Sequence, residues 1–499
     1  VPLEDKAIVC ACEDVTVHDV DQAIARGFAD IESLKRYTGL GTGPCQGKSC
    51  EAGAMRICAA RNAVPREAQV PFRARPPFVP TAIAAYAGLP DEVTGARHGT
   101  PGLRPTWGRG PHPLQPQAPL PESADVVIVG GGIMGLALAW NLAGMGAGRI
   151  LVLERGYLCE GASGRNGGGV RAQWTTPTLI ELAKESIDFM GRFAQELGIN
   201  VWLRKGGYLF LAHDDETLRR IEYGAELQKR HGLSTRVIGP GEAGAIVPHL
   251  DTSKFIAASW NPDDGVVFPW PFLWGYADGA RKRGAQVETF TRVRAIEVGE
   301  GRVRAVRTDR GRVAADRVVI ASGAWSPTVA RLAGVELPNV PYRHEIVSSE
   351  PLKPFLGPLV SMLGTGLYFS QSMRGEIVGG MGDPLEEPGL NQTSSLRFLA
   401  RYGRALGELI PRVGAVKLLR QWAGCYDVTP DHSPVLGETP GIAGLLQMSG
   451  FVGHGFMMAP AVARRMAAWM GGAEDEIFQR YNLRRFAEGR LIQETFIIG

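Results

Sequence analysis

The stretch ADVVIVGGGIMGLALAW, Ala124–Trp140, restricts what this chain can fold into more than any other. It begins as an uninterrupted apolar β run, turns at Gly130-x-Gly132-x-x-Gly135 and continues in helix-forming residues; RILVLE then supplies a second strand ending in Glu154. Strand, glycine turn, helix and strand in that order predict the first βαβ unit of a dinucleotide-binding domain. Gly130 permits the tight turn, Gly132 lets a pyrophosphate approach the backbone, and Gly135 lets helix and strand pack closely. Glu154 stands 24 residues past Gly130, placed to accept both ribose hydroxyls and to repel a 2′-phosphate. A mere packing turn would need none of the flanking strand, helix and terminal acid.

No charge lies between Asp125 and Arg149, a length that in principle spans a bilayer. Seven glycines within Gly130–Gly148 and the switch from β-rich to helical residues speak against a transmembrane segment. The first ten residues already carry acidic groups, unlike a secretory signal. The expectation is a cytoplasmic protein, held at most to the inner face of the membrane through its electron acceptor. At 499 residues the chain exceeds one core and predicts two to four units, and 54 basic against 51 acidic residues give +3, too little to point to nucleic acid.

Between NAD and FAD, later runs decide. GASGRNGGGVRAQW, Gly161–Trp174, follows the second strand closely, and its small polar residues suit a backbone wrapping a flavin ring and its ribityl chain. Arg155, Ser163, Arg165, Asn166, Gly167 and Gly168 are therefore candidate cofactor contacts. DRVVIASGAWSP reads as a strand ending in a turn at Gly323, a second contact for the adenosine half. SGFVGHGF brings Gly450, Phe451, Gly453, His454 and Gly455 to the start of a late helix, whose N-terminus would stabilise the anion of a reduced flavin.

Four of seven cysteines fall in the first fifty residues as Cys10-x-Cys12 and Cys45-x4-Cys50, the second pair on a glycine-rich turn. Such clustering points to metal rather than disulfides. Four thiolates hold either zinc or a [2Fe–2S] cluster, and Cys-x-Cys favours the cluster over the knuckles of structural zinc; merely buried cysteines are the remaining alternative. Around them, Thr16 or Asp19 caps a first helix, Gly39 stops a second, and EAGAMRICAARN forms a third. From Pro65 to Pro121 the chain collects 13 of its 34 prolines and reads as an extended connector, with FVPTAIAAYAGL as an insert able to dock.

Two resemblances sharpen this reading. VCACEDVT and TGLGTGPCQGKSC make residues 8–64 similar to the bacterioferritin-associated-ferredoxin-type [2Fe–2S] domain, which implies Cys10, Cys12, Cys45 and Cys50 as ligands. SGRNGGGVR, RHEIVSSEPL, RQWAGCYDVTPDHSPVLG and GFVGHGF make the remainder, from 125 to about 490, resemble the D-amino-acid-oxidase-type flavoenzymes. Within that family the resemblance is to the β-subunit-like members, as in heterotetrameric sarcosine oxidase and the multi-subunit proline, hydroxyproline and opine dehydrogenases. That resemblance implies FAD, a mixed-sheet substrate domain, oxidation of a C–N bond in amino or imino acids, and an α-type partner subunit bearing a second nucleotide site. Non-covalent FMN at a subunit interface stays open, while Pro269 stands where the covalent relatives carry a histidine.

The expected architecture is α/β: a small helical [2Fe–2S] domain at 1–64, a proline-rich linker at 65–124, and an oxidoreductase at 125–499. Within the last, a Rossmann-like FAD-binding part covers about 125–205, 280–340 and 420–490, and an α+β substrate part about 206–279 and 341–419. The expected chemistry is hydride transfer to FAD, the electrons leaving singly through the cluster. Arg171 is the candidate carboxylate clamp because a guanidinium forks onto both oxygens. His454 is the candidate contact or proton acceptor, and Tyr426 and Tyr368 the candidate pocket walls. A sarcosine-type oxidase, a cyanide-forming glycine dehydrogenase subunit and a non-catalytic redox-sensing module are the rivals.

Overall fold

A computed structural model describes residues 6–63, 65, 71–73, 75–90 and 119–496. Most of the proline-rich connector lies outside the described residues.

Two large sheets organise the body. The apolar runs Ser123–Val129 and Ile150–Leu153 pair in parallel, and Gly311–Ile320 lies parallel on the other side of the first. Gln286–Glu288 and Leu445–Ser449 extend this set, while Arg302–Thr308 and Val293–Gly299 add antiparallel neighbours. The result is an eight-stranded mixed sheet. Its central strands are buried on both faces, as their near-continuous valine, isoleucine and leucine content requires. One face is covered by the helices Ile133–Gly144, Pro177–Leu197, Pro269–Lys282 and Gly455–Met470, which share a core with Trp140, Phe193, Phe272 and Tyr276.

The second sheet has nine strands and is likewise mixed. Its centre pairs Val340–Pro351 with Lys417–Val428 and with Glu376–Met381, all antiparallel. The amphipathic helix Leu396–Leu409 closes its apolar face with Phe398, Tyr402 and Leu406. The insert expected to dock does so: Thr81–Ala82 adds an edge strand beside Lys417–Leu418, and the helix Ile83–Ala87 packs on the same core. The parts expected to bind FAD and substrate are thus a Rossmann-like layer and a mixed α+β layer.

The N-terminal unit is helical, as its caps predict. Thr16 caps Val17–Ala25 in a reciprocal box with Asp19, and Gly39, at φ 79°, stops Ile31–Thr38. It is not a metal-cluster module, and that part of the expected fold class is corrected. The four cysteines lie near one another, Cys12 hydrogen-bonded with Cys45 and Cys10 with Cys50. Among the described residues no group of three or more His, Cys, Asp or Glu side chains is arranged to hold a metal ion. A [2Fe–2S] ligand set of Cys10, Cys12, Cys45 and Cys50 therefore does not stand, nor does an iron–sulfur relay.

Candidate active site

The flavin cradle is made of backbone. Gly130 sits at φ 124°, and a Cβ there would run into the carbonyl of Ala321 at the end of the neighbouring strand. A Cβ on Gly135 would strike the carbonyl of Gly130, so helix and turn close only because both residues are glycine. Gly132 begins the helix Ile133–Gly144 without a side-chain cap. Glu154 folds over the turn: its carboxylate accepts from the N–H of Gly131 at 2.8 Å and of Gly156 at 2.9 Å, and burial raises its pKa.

These groups border a cavity of about 440 Å³, lined also by Arg155, Ser163, Asn166, Gly323, Phe451, Gly453 and Gly455. Arg155 lies over Trp325 at 4.1 Å. A chamber lined by a glycine turn, a helix start, an acid and several small residues matches the donors and acceptors of FAD. Gly135 and Gly450 act behind the wall. The Gly450 N–H donates to Asp427 at 2.6 Å, and Asn339 holds the same carboxylate at 2.9 Å, which fixes the turn leading into the helix Gly455–Met470. Burial pushes Asp427 up to about 6.

A smaller cavity, about 90 Å³, shares Ala162, Asn166, Gly453 and Phe456 with the larger one. Arg165, Gly167 and Gly168 face it rather than the large chamber, beside Tyr208, Tyr368, Tyr426 and His454. His344 lines it too, stacked between Tyr426 at 4.5 Å and Tyr368 at 5.6 Å, with Nε2 3.2 Å from the Tyr368 hydroxyl. Burial pushes His344 down to about 4, so it is unprotonated at neutral pH. Two glycines make room for these rings: a Cβ on Gly380 would press on the Tyr368 hydroxyl, and one on Gly453 would enter the Tyr426 ring.

Arg171, expected to clamp a carboxylate, does not line this cavity. Its guanidinium is fully buried behind His454 and donates to the carbonyls of Gln173 and Phe496. The arginine of the small cavity, Arg165, spends two of its nitrogens on the carbonyls of Glu160 and Ala423. Reading the sequence missed His344, Tyr208 and Asp427. His344 and Asp427 lay inside runs quoted for their resemblance, but nothing local marks either as facing a pocket.

Comparison with known proteins agrees with this geometry. Residues 125–469 match the family model described as FAD dependent oxidoreductase. Sarcosine oxidase subunit beta of Rhizobium meliloti is 31% identical, over 82% of this chain and 97% of its own. The crystal structure of L-proline dehydrogenase from P. horikoshii is 34% identical with a TM-score of 0.71, covering 74% of this chain and all of that one. Glycine oxidase from Geobacillus kaustophilus is 26% identical with a TM-score of 0.67, covering 73% of this chain and 99% of its own.

The N-terminal residues 4–89 match the sarcosine oxidase A3 domain, which replaces the ferredoxin-type assignment. The expectation of FMN is withdrawn as well: the matched family is described by FAD alone. Around Pro269, moreover, Trp270 and Trp274 are taken up by contacts with Arg36 and Tyr37 of the N-terminal unit. Among the described residues no helix is long and apolar enough to cross a membrane. A glycine cradle in which Gly130 and Gly135 leave no room for a side chain, within a family match over 345 of 499 residues, places the chain in the family of FAD-dependent oxidoreductases.

Proposed function

We propose that this oxidoreductase oxidises the C–N bond of a small amino or imino acid, with a secondary amine such as proline, hydroxyproline or an N-alkyl amino acid as its preferred substrate. The observation that carries the reading is the small aromatic cavity sharing a wall with the flavin chamber, with an unprotonated histidine in its lining. Sarcosine oxidase and L-proline dehydrogenase among the similar proteins support the same substrate class.

Bound FAD supplies the two-electron acceptor for the hydride of the α-carbon. The chain supplies position and charge. Tyr368, Tyr426 and His344 form a rigid wall against which a small substrate is oriented, so that little freedom is lost at the reacting step. Neutral His344 places no positive charge beside the substrate nitrogen. The helix Gly455–Met470, started by the turn that Asp427 fixes, directs its free N–H groups at the wall shared by the two cavities and favours negative charge there. The aromatic lining excludes water from the reacting centre.

An α-type partner subunit fits the relatives that are themselves named subunit beta. All seven cysteines are free thiols, which favours a reducing compartment such as the cytoplasm. Anaerobic mixing of the flavin-loaded enzyme with proline, hydroxyproline, sarcosine and glycine tests the proposal. Secondary amines bleach the visible flavin band faster than glycine does. If none of the four bleaches it, the assignment is wrong. Peroxide formed in air in equal amount to product marks an oxidase, and its absence a dehydrogenase.

A further inference from the structure

We infer that the C-terminal tail belongs to the active site: the carbonyl of Phe496 fixes Arg171, and Arg171 fixes His454 as the tautomer that carries its proton on Nδ1. A guanidinium has donors and no acceptor. Arg171 directs Nη1 to the Gln173 carbonyl and Nη2 to the Phe496 carbonyl, and Nη2 also stands 3.5 Å from Nε2 of His454. In that contact Nε2 presents its lone pair, so the single proton of a neutral imidazole sits on Nδ1.

Trp174 locks the arrangement. Its ring lies 3.7 Å from the Arg171 guanidinium and meets the His454 ring edge-on, at 4.6 Å and 87°. Burial first, then the charge of Arg171, holds His454 well below its ordinary pKa; His432 and His344 act in the same direction.

The tail is built in, not draped. Glu494, 2% exposed, takes the Thr175 N–H on both carboxylate oxygens, at 3.1 and 3.0 Å, and the Phe496 N–H at 2.9 Å. The Phe496 ring is fully buried against Phe210 at 5.2 Å, and a Cβ on Gly224 would collide with it. Arg171 is thus a positioning residue, and His454 is an N–H donor rather than a base.

Only the catalytic consequence rests on the proposed function; the tautomer is read without substrate. Holoenzyme labelled with ring-¹⁵N histidine, with His454→Asn to identify the resonance, gives the tautomer from long-range nitrogen–proton correlations. Wild type shows Nδ1 protonated, and so does Phe496→Leu, which keeps the carbonyl. Arg171→Gln mixes the tautomers, and its flavin-reduction rate with the best amine falls roughly a hundredfold at unchanged KM, the size expected when a site group is misplaced. A proton on Nε2, a charged ring in wild type, or an unchanged pattern in Arg171→Gln overturns the inference. The wild-type spectrum decides even if the variant does not fold. Should no amine reduce the flavin while the Nδ1 pattern stands, the function has failed and the tautomer has not.

Discussion

The flavin cradle and the cysteine-bearing N-terminal unit were announced by equally conspicuous residues, and the structure treats them differently. In the cradle each signature residue is answered by an independent element: Gly130 by Ala321, Glu154 by the N–H groups of Gly131 and Gly156, Gly132 by a helix start. In the N-terminal unit the cysteines meet one another and the glycine-rich turn, while the buried charges tie the unit to the body. Arg36 donates to the Tyr157 hydroxyl at 2.6 Å and lies over Trp270, Gln46 reaches the Leu419 carbonyl, Arg420 reaches Thr42, and Glu13 pairs with Arg374. Spacing of ligand-type residues is thus by itself a weak guide to a metal site. The unit is a clamp that touches both the FAD-binding and the substrate layers.

The comparison breaks first at the cradle. Gly135→Val, which forces a branched side chain into the Gly130 carbonyl, yields protein without bound flavin, read from the absorbance ratio of purified enzyme. If flavin content is unchanged, the cradle is misassigned.

The clamp comes next. Arg36→Met leaves Glu32, 2% exposed, without one of its two cationic neighbours at 3.6 Å and costs about 3–5 kcal/mol in chemical unfolding. Although burial opposes it, the charges of Lys35 and Arg36 lower Glu32 to about 2. A depressed carboxylate gives stability present above its unfolded pKa and lost as pH falls from about 4.5 towards 2, so the clamp loosens in that window.

His344 gives the pocket its own, higher window. Its folded pKa of about 4 lies below the unfolded 6.5, so the unfolded chain binds the proton first and stability drops as pH falls from 6.5 to 4, by about 3 kcal/mol. The difference in unfolding free energy between wild type and His344→Asn, followed against pH, isolates this contribution. A flat difference would mean that the ring is already charged in the folded protein.

The smallest effect is expected at Tyr368→Phe. It removes one hydrogen bond to His344 and keeps the stacked ring, for about 1 kcal/mol, or roughly fivefold in KM for the amine. A larger loss in kcat than in KM would make the hydroxyl a participant in the reaction rather than a support.

Much of the cradle was legible because it is local. A turn of three glycines, the helix after it and the acid at the next strand end are all decided by residues a few positions apart and by φ angles that only glycine adopts comfortably. The helix caps at Thr16 and the stop at Gly39 were legible for the same reason. The pocket was not. His344 meets Tyr426 because Val340–Pro351 pairs with Lys417–Val428 in a register that sets Tyr342 opposite Tyr426 and His344 opposite Gly424. It meets Tyr368 through a third strand, Glu376–Met381, lying between. A slip of one residue in either pairing would turn these rings to the other face. Arg171 likewise carried the right chemistry for a clamp, and only the return of the chain at Phe496 committed its guanidinium elsewhere.

By itself the sequence determined where the backbone must turn tightly, where a dinucleotide is received and which segments become strands or helices, since those depend on short-range sterics and periodicity. Tertiary structure alone decided which side chains face one another across the small cavity, that the clustered cysteines are not, among the described residues, arranged to hold a metal ion, and that Phe496 reaches the arginine behind His454. Those outcomes depend on strand register and on long-range burial, where the cost of leaving a buried charge or polar group without a partner selects one arrangement among many that local pattern allows.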